Sequence, residues 1–317
     1  MKTKKIGKVN LTYLNSSLKS KYEDSAEKFL LDFFKEKPES KRHSDIYKIL
    51  NNDPSWDIFY NLHPQRRHIL DWYDFKAGKY LLDIGAGTGA VTGTFLDKKL
   101  QVTALELTDI RAEILTHRFR DKDGLDVVAG HLDDFKPKQK FDYINMTGVL
   151  EYAGMFSKDK DANFLKSHLD LLQKCTGFLK KGGKIIIAIE NPLGLRYFSG
   201  AVEDHYGELF QGVQNYPQYN GIRTFTKTEL KKVLVNSGFK NIDLYLPFPD
   251  YKLPRTIFSE EYLDSFDQIS LSSYLQNIDY AHPLFKFFSE ILFSHQLKKE
   301  KYISTFSNSF LFFAEKK

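Results

Sequence analysis

The sequence has few of the residues that cross-link or anchor a chain. Its 317 residues include a single cysteine, Cys175, so no internal disulfide can form and a reducing compartment is expected. No run approaches the roughly 20 apolar residues that a membrane-spanning helix needs. The basic N-terminus lacks the apolar stretch of a signal peptide. We therefore expect a cytoplasmic protein.

An excess of one charge is also missing. The chain carries 46 basic and 41 acidic residues, a net charge of +5, which is too small to indicate nucleic-acid binding by itself. The nine histidines form no His-x-x-x-His pair with an acidic partner, and there is no cysteine cluster. The sequence therefore predicts no metal site.

Short apolar runs alternate with helical segments after Gly78, which is the pattern of an α/β protein with a parallel sheet. The predicted strands are Tyr80–Ile84, Gln101–Leu105, Leu125–Ala129, Tyr143–Met146, Lys184–Ile189, Asn241–Leu246 and Ser307–Ala314. The predicted helices between them are Ala90–Asp97, Asp109–Phe119, Ala162–Leu179 and Lys227–Ser237, the last with a capping box of Thr226 and Glu229.

The remaining parts of the chain do not fit this alternation. Residues 1–78 have the pattern of a helical extension, with apolar residues at helical spacing in Tyr22–Phe34 and Trp56–Phe75. Residues 79–317 are expected to form one domain with two insertions, 191–225 and 247–304, which are too long for simple loops. In the second insertion, Leu284–Leu297 is predicted as an amphipathic helix that either packs on the body or docks on a membrane surface.

The strongest local signal is a glycine-rich turn after the first predicted strand, Asp83-Ile-Gly85-Ala86-Gly87. Glycine lacks a Cβ and lets the backbone approach a ligand closely. Glu106 ends the next strand about 20 residues later, where a carboxylate accepts hydrogen bonds from a ribose diol. The pattern predicts an adenosine-containing ligand.

Three interpretations of this turn are open at this point. It is a plain strand–turn–helix junction without a ligand, it binds a dinucleotide, or it binds S-adenosylmethionine (SAM). Asp83 favours SAM, because a carboxylate beside the turn suits a cationic amino group and not a pyrophosphate. The adenine is expected beside the end of the third strand, at His131, Leu132 and Asp133.

With these motifs the chain resembles class I SAM-dependent methyltransferases. Asp83–Gly89 resembles their first motif, Glu106 their second, Phe141–Ala153 their fourth and Leu179–Gly183 the turn before their fifth strand. The resemblance implies a Rossmann-like seven-stranded sheet with one antiparallel strand, and SAM as cofactor with S-adenosylhomocysteine as product. The cofactor-binding residues expected on these motifs are Asp83, Gly85, Ala86, Gly87, Glu106, Leu107, His131, Leu132, Asp133 and Thr147.

A narrower resemblance concerns Glu190–His205 and Pro247–Glu260, with Pro64-x-Arg66-Arg67 upstream. These segments resemble methyltransferases that accompany glycosyltransferases in bacterial surface-polysaccharide pathways. The implied acceptor is a sugar hydroxyl of a glycan or of its lipid-linked precursor. The expected partners are therefore this acceptor and glycosyltransferases, with peripheral membrane contact at the inner face of the membrane and no nucleic acid.

A sugar hydroxyl is a poor nucleophile until its proton leaves, so a base is expected within reach. His205 is the predicted base, with Asp204 orienting it or binding acceptor hydroxyls and with Glu151 as a further catalytic candidate. The substrate-binding candidates are Tyr152, Glu190, Asn191 and Arg66; Arg66 is expected to pair with the cofactor carboxylate or an acceptor anion.

Other acceptors and functions remain open in the sequence. Nucleobase and amide N-methyltransferases usually carry Asn/Asp-Pro-Pro-Tyr/Phe after the fourth strand, where this chain has Asn145-Met-Thr-Gly148, so RNA and DNA are disfavoured. A small metabolite, a protein acceptor and a SAM-binding partner without turnover are the alternatives. A nicotinamide oxidoreductase is the remaining class, and it predicts binding of NAD over SAM.

Overall fold

The computed structural model describes residues 2–19, 25–37, 39–156, 164–218, 221–265 and 285–317. The strands in this part of the chain are β1 (Lys2–Ile6), β2 (Val9–Tyr13), β3 (Tyr80–Ile84), β4 (Gln101–Glu106), β5 (Leu125–Ala129), β6 (Phe141–Thr147), β7 (Leu179–Glu190), β8 (Phe239–Phe248), β9 (Thr256–Ser259) and β10 (Ser309–Lys316). All seven predicted strands are confirmed.

The helices in the same described part are α1 (Ser25–Glu36), α2 (Glu39–Leu50), α3 (Trp56–Leu62), α4 (His68–Asp71), α5 (Thr92–Asp97), α6 (Asp109–Arg118), α7 (Ala153–Phe156), α8 (Phe164–Phe178), α9 (Leu195–Ser199), α10 (Lys227–Asn236), α11 (Glu260–Ser265) and α12 (Glu290–Lys299). Two short 3-10 helices cover Pro64–Arg67 and Leu150–Tyr152. The capping box of Thr226 and Glu229 is confirmed at the start of α10. The predicted helical residues 22–24 and 162–163 lie outside the described residues.

The chain divides into two compact units, residues 1–145 and 146–317, so that β6 begins in the first and ends in the second. In the first unit the strands lie in the order β1-β2-β5-β4-β3-β6. The pairs of β3 with β4, β4 with β5 and β3 with β6 are all parallel. The chain runs outward from β3 to β4 and β5 and then returns to the other side of β3. The turn after β3 therefore lies at the point where strand order reverses, which is where open α/β sheets bind ligands.

The start of the chain differs from the sequence prediction, which expected helices and loops throughout residues 1–78. β1 and β2 form an antiparallel hairpin, and β2 continues the sheet as a parallel neighbour of β5. Val9 and Leu11 are fully buried and are separated by the exposed Asn10, which is the alternation of a strand. This alternation covers too few residues to be recognised in a lysine-rich segment. The domain boundary at residue 78 stays a prediction.

The helices of the first unit pack around a cluster of large side chains. Leu30, Phe33 and Phe34 of α1 lie against Leu62 of α3 and Ile114 of α6. Full burial of each such side chain stabilises the fold by about 1.5–3 kcal/mol before conformational entropy is subtracted. The cluster holds α6, which follows Glu106, against the helical layer.

The second unit contains the strand order β7-β10-β8-β9. β10 is antiparallel to both β7 and β8, which is the antiparallel strand that the resemblance implies. Its run Phe310–Ala314 is buried at every position. An unbroken apolar run is what a strand covered on both faces requires.

The two insertions have some structure of their own. Residues 191–225 include α9 and a bridge between Val202 and Leu209. In residues 247–304 the predicted amphipathic helix Leu284–Leu297 is observed as α12, Glu290–Lys299, and Leu284 lies outside the described residues. Among the described helices, none is long and apolar enough to cross a membrane.

Candidate active site

The glycine turn directly follows β3 and adopts a backbone that glycine tolerates best. Gly85 and Gly87 have φ values of 66° and 56°. A Cβ built on Gly87 would meet no atom within 4 Å, so the backbone at this position borders open space. The turn therefore leaves room for a ligand directly against the main chain.

The amide groups of this turn are already bonded inside the protein. The N–H groups of Gly85 and Ala86 both donate to the carbonyl of Leu105, at 2.8 and 3.2 Å. The Gly87 N–H donates to Glu106 Oε2 at 2.9 Å. A pyrophosphate is bound by free amide groups at such a turn. Their engagement here disfavours a dinucleotide and leaves SAM as the ligand that fits.

Glu106 ends β4 and points at the glycine turn, as the sequence predicts. Its Oε1 accepts hydrogen bonds from the backbone and hydroxyl of Thr108, at 3.0 and 3.1 Å. These bonds fix the side chain beside Gly87 in one orientation. A carboxylate held in this way is suited to accept the two hydroxyls of a ribose.

Asp83 lies deeper than the sequence suggests. Its two oxygens accept hydrogen bonds from Thr92 Oγ1 at 2.7 Å and Asn145 Nδ2 at 2.8 Å, and the residue is only 2% exposed. Burial raises the pKa of Asp83 to about 6, although both hydrogen bonds act in the opposite direction. Because Asp83 has almost no solvent-accessible surface, it is not placed to contact a ligand directly. It can act on a cationic ligand through its charge and by supporting the glycine turn.

The loop after β5 contains the three residues predicted beside the adenine. The His131 N–H donates to Ser16 Oγ at 3.1 Å, and His131 Nδ1 accepts the Asp133 N–H at 3.1 Å. Leu132 is buried between them. These bonds hold the loop next to the segment after the N-terminal hairpin, so Ser16 is a neighbour of the predicted adenine site that the sequence did not reveal.

The same N-terminal segment also reaches the residue after Glu106. The Leu18 N–H donates to the Leu107 carbonyl at 3.0 Å, and the Asp109 N–H donates to the Leu18 carbonyl at 3.0 Å. The segment after the hairpin thus borders the carboxyl ends of β4 and β5. Its residues were assigned to a helical extension, and only the strand pairing brings them to this edge.

Arg66 is buried, and its guanidinium lies over the ring of Tyr60, with Cζ 3.8 Å from the ring centroid. It sits in the 3-10 helix Pro64–Arg67, between α3 and α4. Stacking on an aromatic face holds the guanidinium plane in place. Its pairing with a cofactor carboxylate or an acceptor anion stays a prediction.

In the second unit, Glu151, Glu190 and His205 form a cluster, which we call the carboxylate–histidine cluster. One oxygen of each glutamate and one ring nitrogen of the histidine all lie within 4.8 Å of one another. Glu151 is in the 3-10 helix after β6, Glu190 is the last residue of β7, and His205 lies in the first insertion. Three sequence-predicted site residues are therefore brought together by the fold.

Glu203 orients His205, and not Asp204 as the sequence predicts. His205 Nδ1 lies 2.8 Å from Glu203 Oε1, and the N–H groups of His205 and Tyr206 both donate to Glu203 Oε2, at 2.7 and 2.9 Å. The backbone turns between residues 203 and 205, so the glutamate two positions back faces the ring. This pairing leaves His205 Nε2 as the nitrogen available for chemistry.

Asp204 instead joins a network of cations. Its carboxylate accepts hydrogen bonds from Tyr197 Oη and from Lys252 Nζ, the latter at 2.5 Å, and Arg196 lies 3.6 Å away. Burial by itself would raise the pKa of Asp204, but the charges of Arg196 and Lys252 outweigh it and hold this pKa well below its usual range. Asp204 is a fixed anion that positions Lys252.

Lys252 connects this network to the cluster. Its Nζ lies 2.8 Å from Glu190 Oε1, which also accepts the Tyr251 hydroxyl at 3.1 Å. Burial alone would lower the pKa of Lys252, yet the charges of Asp204 and Glu190 raise it well above the ordinary value. Lys252 is therefore charged, and Glu190 is held by two donors on one oxygen.

A glycine makes room for the Tyr251 hydroxyl. Gly148 follows Thr147, the last residue of β6, with φ of 68°, and a Cβ there would lie 2.8 Å from Tyr251 Oη. The Tyr152 ring packs edge-on against His205, with centroids 5.4 Å apart. Tyr152 thus packs against the cluster, and the cofactor contact expected of Thr147 stays a prediction.

The protonation of the cluster follows from its burial and crowding. Burial and the nearby charge of Glu190 together raise the pKa of Glu151 to about 8. Burial would also raise the pKa of Glu190, but the charge of Lys252 reverses the shift. Burial would lower the pKa of His205, but the Glu203 hydrogen bond and the Glu190 charge raise it to about 9. At neutral pH His205 keeps its second proton.

Asn191 does not contribute to the cluster, and this corrects its predicted substrate role. Its Nδ2 donates to the carbonyls of Thr305 and Ser307, at 2.8 and 2.7 Å, and its Oδ1 accepts the Leu193 N–H at 3.1 Å. The side chain is fully buried. An amide whose groups are all engaged in this way ties the first insertion to the segment before β10.

Comparison with known proteins finds likenesses to methyltransferases. Residues 82–185 match the family model described as a methyltransferase domain. A ribosomal RNA small subunit methyltransferase A of Borreliella burgdorferi is 28% identical over 204 residues, which covers 61% of this chain and 66% of that protein. The chain thus spans slightly less than two thirds of the length of this curated relative.

Two solved structures share a distant likeness. Phosphoethanolamine N-methyltransferase 2 of Haemonchus contortus, in complex with SAM, is 18% identical with a TM-score of 0.45, covering 91% of this chain and 60% of that one. A possible histamine N-methyltransferase of Thermotoga maritima is 15% identical with a TM-score of 0.45, covering 91% and 100%. At such scores these likenesses do not bear on what this protein methylates.

The family match begins in β3 and contains both the glycine turn and Glu106. The bonded turn amides and the carboxylate aimed at them fit an adenosyl sulfonium and not a pyrophosphate. Residues 82–185 therefore match a methyltransferase domain, and SAM is the cofactor that fits the glycine turn and Glu106.

Proposed function

We propose that this protein transfers a methyl group from SAM to a sugar hydroxyl of a cell-surface polysaccharide or of its precursor. The observation that carries the proposal is the carboxylate–histidine cluster, in which a histidine backed by Glu203 lies among buried carboxylates. A hydroxyl, unlike a free amine, needs a group that removes its proton. SAM supplies the methyl carbon, whose bond to sulfur breaks with the electron pair remaining on sulfur.

The chain's own residues bind the hydroxyl and accept its proton. Glu151 and Glu190 offer carboxylate oxygens that accept hydrogen bonds from a polyol. His205 Nε2 is the proton acceptor, with Glu203 stabilising the imidazolium through Nδ1. Because His205 is protonated at neutral pH in the free protein, that proton must be displaced before the acceptor reacts.

The charge of the cluster also favours a neutral acceptor over a phosphate-rich one. Glu190 and Glu203 lie beside His205, and their negative charges disfavour a nucleic-acid backbone. In addition, the Asn145 side chain is bonded to Asp83, so it is not presented as the asparagine of a nucleobase methyltransferase motif. Both observations support the predicted exclusion of RNA and DNA.

Membrane contact, which a lipid-linked acceptor would require, is a further part of this proposal. Phe285 and Leu292 are 74% and 68% exposed around α12, and Lys298 and Lys299 end that helix. Apolar side chains beside lysines suit an anionic lipid surface. Sedimentation with anionic vesicles tests it: we expect binding that Leu292→Asp weakens, whereas equal recovery with neutral vesicles would argue against it.

Methyl transfer is tested by incubating the protein with SAM and lipid-linked oligosaccharides and measuring released S-adenosylhomocysteine. We expect turnover that His205→Ala lowers about 10²–10⁴-fold, because it removes the proton acceptor, while SAM affinity is unchanged. Glu208→Gln, an exposed acid three positions away, is the matched control and keeps activity. Transfer only to amines, RNA or protein, or full activity of His205→Ala, would overturn the proposal.

A further inference from the structure

The carboxylate–histidine cluster has the composition of a cation site. Two glutamate oxygens and one imidazole nitrogen converge within 4.8 Å from three separate segments of the second unit. Two carboxylates and a histidine are a common ligand set for divalent metals. Because the three residues are far apart in the sequence, no ligand-spacing motif could reveal them.

Two buried oxygens of the cluster point to a missing ligand. In the described part of the chain, Glu151 Oε2 and Glu190 Oε2 have no hydrogen-bond partner and essentially no accessible surface. Glu151 is 1% exposed and Glu190 is 3% exposed, so bulk water does not solvate them. Leaving a buried carboxylate oxygen unpartnered is costly, and a bound cation removes that cost.

The histidine is held as metal-binding histidines usually are. Its Nδ1 is bonded to Glu203 Oε1 at 2.8 Å, and Glu203 is itself fixed by two backbone N–H groups. A carboxylate behind one ring nitrogen orients the ring and makes the other nitrogen a better ligand. His205 Nε2 is therefore prepared to bind, and its side chain is only 4% exposed.

Carboxyl groups are more numerous than permanent cations around the cluster. Among the described residues, Glu151, Glu190, Glu203, Asp204 and Asp250 lie in this neighbourhood, and their ion pairs include the permanent cations Arg196 and Lys252. Buried charge is stable only when paired, and a divalent cation would add positive charge among these carboxyl groups.

We propose that Glu151, Glu190 and His205 bind one divalent cation of the Mn²⁺ class, through the two glutamate oxygens and the histidine Nε2. Two carboxylates and one imidazole are harder ligands, in the acid–base sense, than the cysteine thiolates of sites that select zinc. Three protein ligands also leave coordination positions open for an acceptor. The proposal rests on the proposed function for its role, since a divalent cation lowers the pKa of a hydroxyl that it ligates. In that case the cation replaces His205 as the group that activates the hydroxyl: the hydroxyl proton would pass to water, and His205 would act as a ligand.

Binding is measured first on the full chain without any acceptor. Titration with Mn²⁺, followed by loss of the free-ion EPR signal, should show one ion per chain. Glu190→Gln and His205→Ala should abolish this binding, and Glu203→Gln should weaken it about 10–100-fold through the histidine. Glu208→Gln should bind like the wild type. Far-UV circular dichroism and SAM affinity verify that each variant is folded.

Two results overturn the cation site. One is the absence of Mn²⁺, Co²⁺ and Zn²⁺ binding by protein that is folded and binds SAM; the other is equal binding by wild type, Glu190→Gln and His205→Ala. If methyl transfer persists in chelator while no ion binds, the site is wrong and the proposed function stands with His205 as direct base. If the ion binds but no hydroxyl is methylated, the proposed function fails and the site stands.

Discussion

Glu106 accepts a hydrogen bond from the Gly87 N–H at 2.9 Å, so the carboxylate at the end of β4 and the turn after β3 form one structural unit. The Leu105 carbonyl accepts hydrogen bonds from the first two amide groups of the turn, those of Gly85 and Ala86, and Glu106 accepts the bond from the third. This relationship separates an adenosyl site from a pyrophosphate site, and it can be tested directly.

Glu106→Gln should weaken SAM binding about 10–100-fold, because the neutral amide loses charge-assisted hydrogen bonds to the ribose. Isothermal titration calorimetry with SAM and S-adenosylhomocysteine measures the change. Asp126→Asn, which alters an exposed acid on the neighbouring strand β5, is the matched control and should bind normally. Unchanged affinity in Glu106→Gln would remove Glu106 from the cofactor site.

Gly87→Ala should block SAM while leaving the protein folded. The new methyl group enters the open space beside the turn, and the positive φ adds about 1–2 kcal/mol of strain. Gly78→Ala is the matched control, since Gly78 also has positive φ and no atom within 4 Å of a built Cβ. Both variants should lose similar stability, and only Gly87→Ala should lose SAM affinity. Equal SAM affinity in the two variants would show that the ligand does not lie against Gly87.

Asp83 should make the free energy of unfolding depend on pH. Its pKa is raised to about 6 in the folded protein, so between about pH 4 and pH 6 the native state holds a proton that the unfolded chain has released. The stability contributed by this group is therefore present below about pH 4 and lost as the pH rises through about 6, and the loss amounts to about 3 kcal/mol. SAM affinity should change oppositely, improving as Asp83 ionises.

Urea unfolding of wild type and Asp83→Asn at pH 4.5 and 7.5 measures this effect. The variant should lack the decline that the wild type shows over this range, and calorimetry should show weaker SAM binding at pH 7.5. Asp126→Asn again serves as the exposed control. An identical pH dependence of stability in wild type and Asp83→Asn would contradict the prediction.

Gly148→Ala should lower turnover about 10-fold or more without changing SAM affinity. The added methyl group displaces the Tyr251 hydroxyl, which then loses its hydrogen bond to Glu190. Tyr251→Phe removes the same hydroxyl, so the double variant should be no slower than Tyr251→Phe alone. Additive losses in kcat would show that Gly148 acts through something other than Tyr251.

Asn191→Ala should destabilise the protein by about 2–4 kcal/mol, because it leaves buried carbonyls of Thr305 and Ser307 without a donor. Thermal unfolding measures the loss, and turnover per folded molecule should be near that of the wild type. Asn191→Asp should be worse, since a carboxylate would face carbonyl oxygens. A normal melting temperature with lost turnover would restore Asn191 as an acceptor ligand.

The cofactor site was largely predictable because its residues lie close together in sequence. Asp83, Gly85 and Gly87 belong to one strand–turn motif, and Glu106 ends the next strand, so a local pattern is enough to bring them together. The pattern did not reveal that Asp83 is buried under the turn, because burial depends on Thr92 and Asn145 from other elements.

The carboxylate–histidine cluster was predictable only in part. His205, Glu151 and Glu190 were each named for their position beside a strand end or in an insertion, but their convergence required β7 and the first insertion to be folded. Glu203 and Lys252 were missed, since a glutamate next to an aspartate and a lysine near prolines carry no local signal. Asn191 was assigned to the acceptor because it follows β7, whereas its amide turned out to serve the fold.

The sequence by itself determined the α/β alternation, the seven central strands, the glycine turn and the resemblance to methyltransferases, because these depend on period, turn residues and spacing along the chain. The tertiary structure decided the N-terminal hairpin, the pairing of Glu203 with His205 and the crowding of Glu151, Glu190 and His205. Those features depend on which distant segments pack together, and burial then sets the charges that such residues carry.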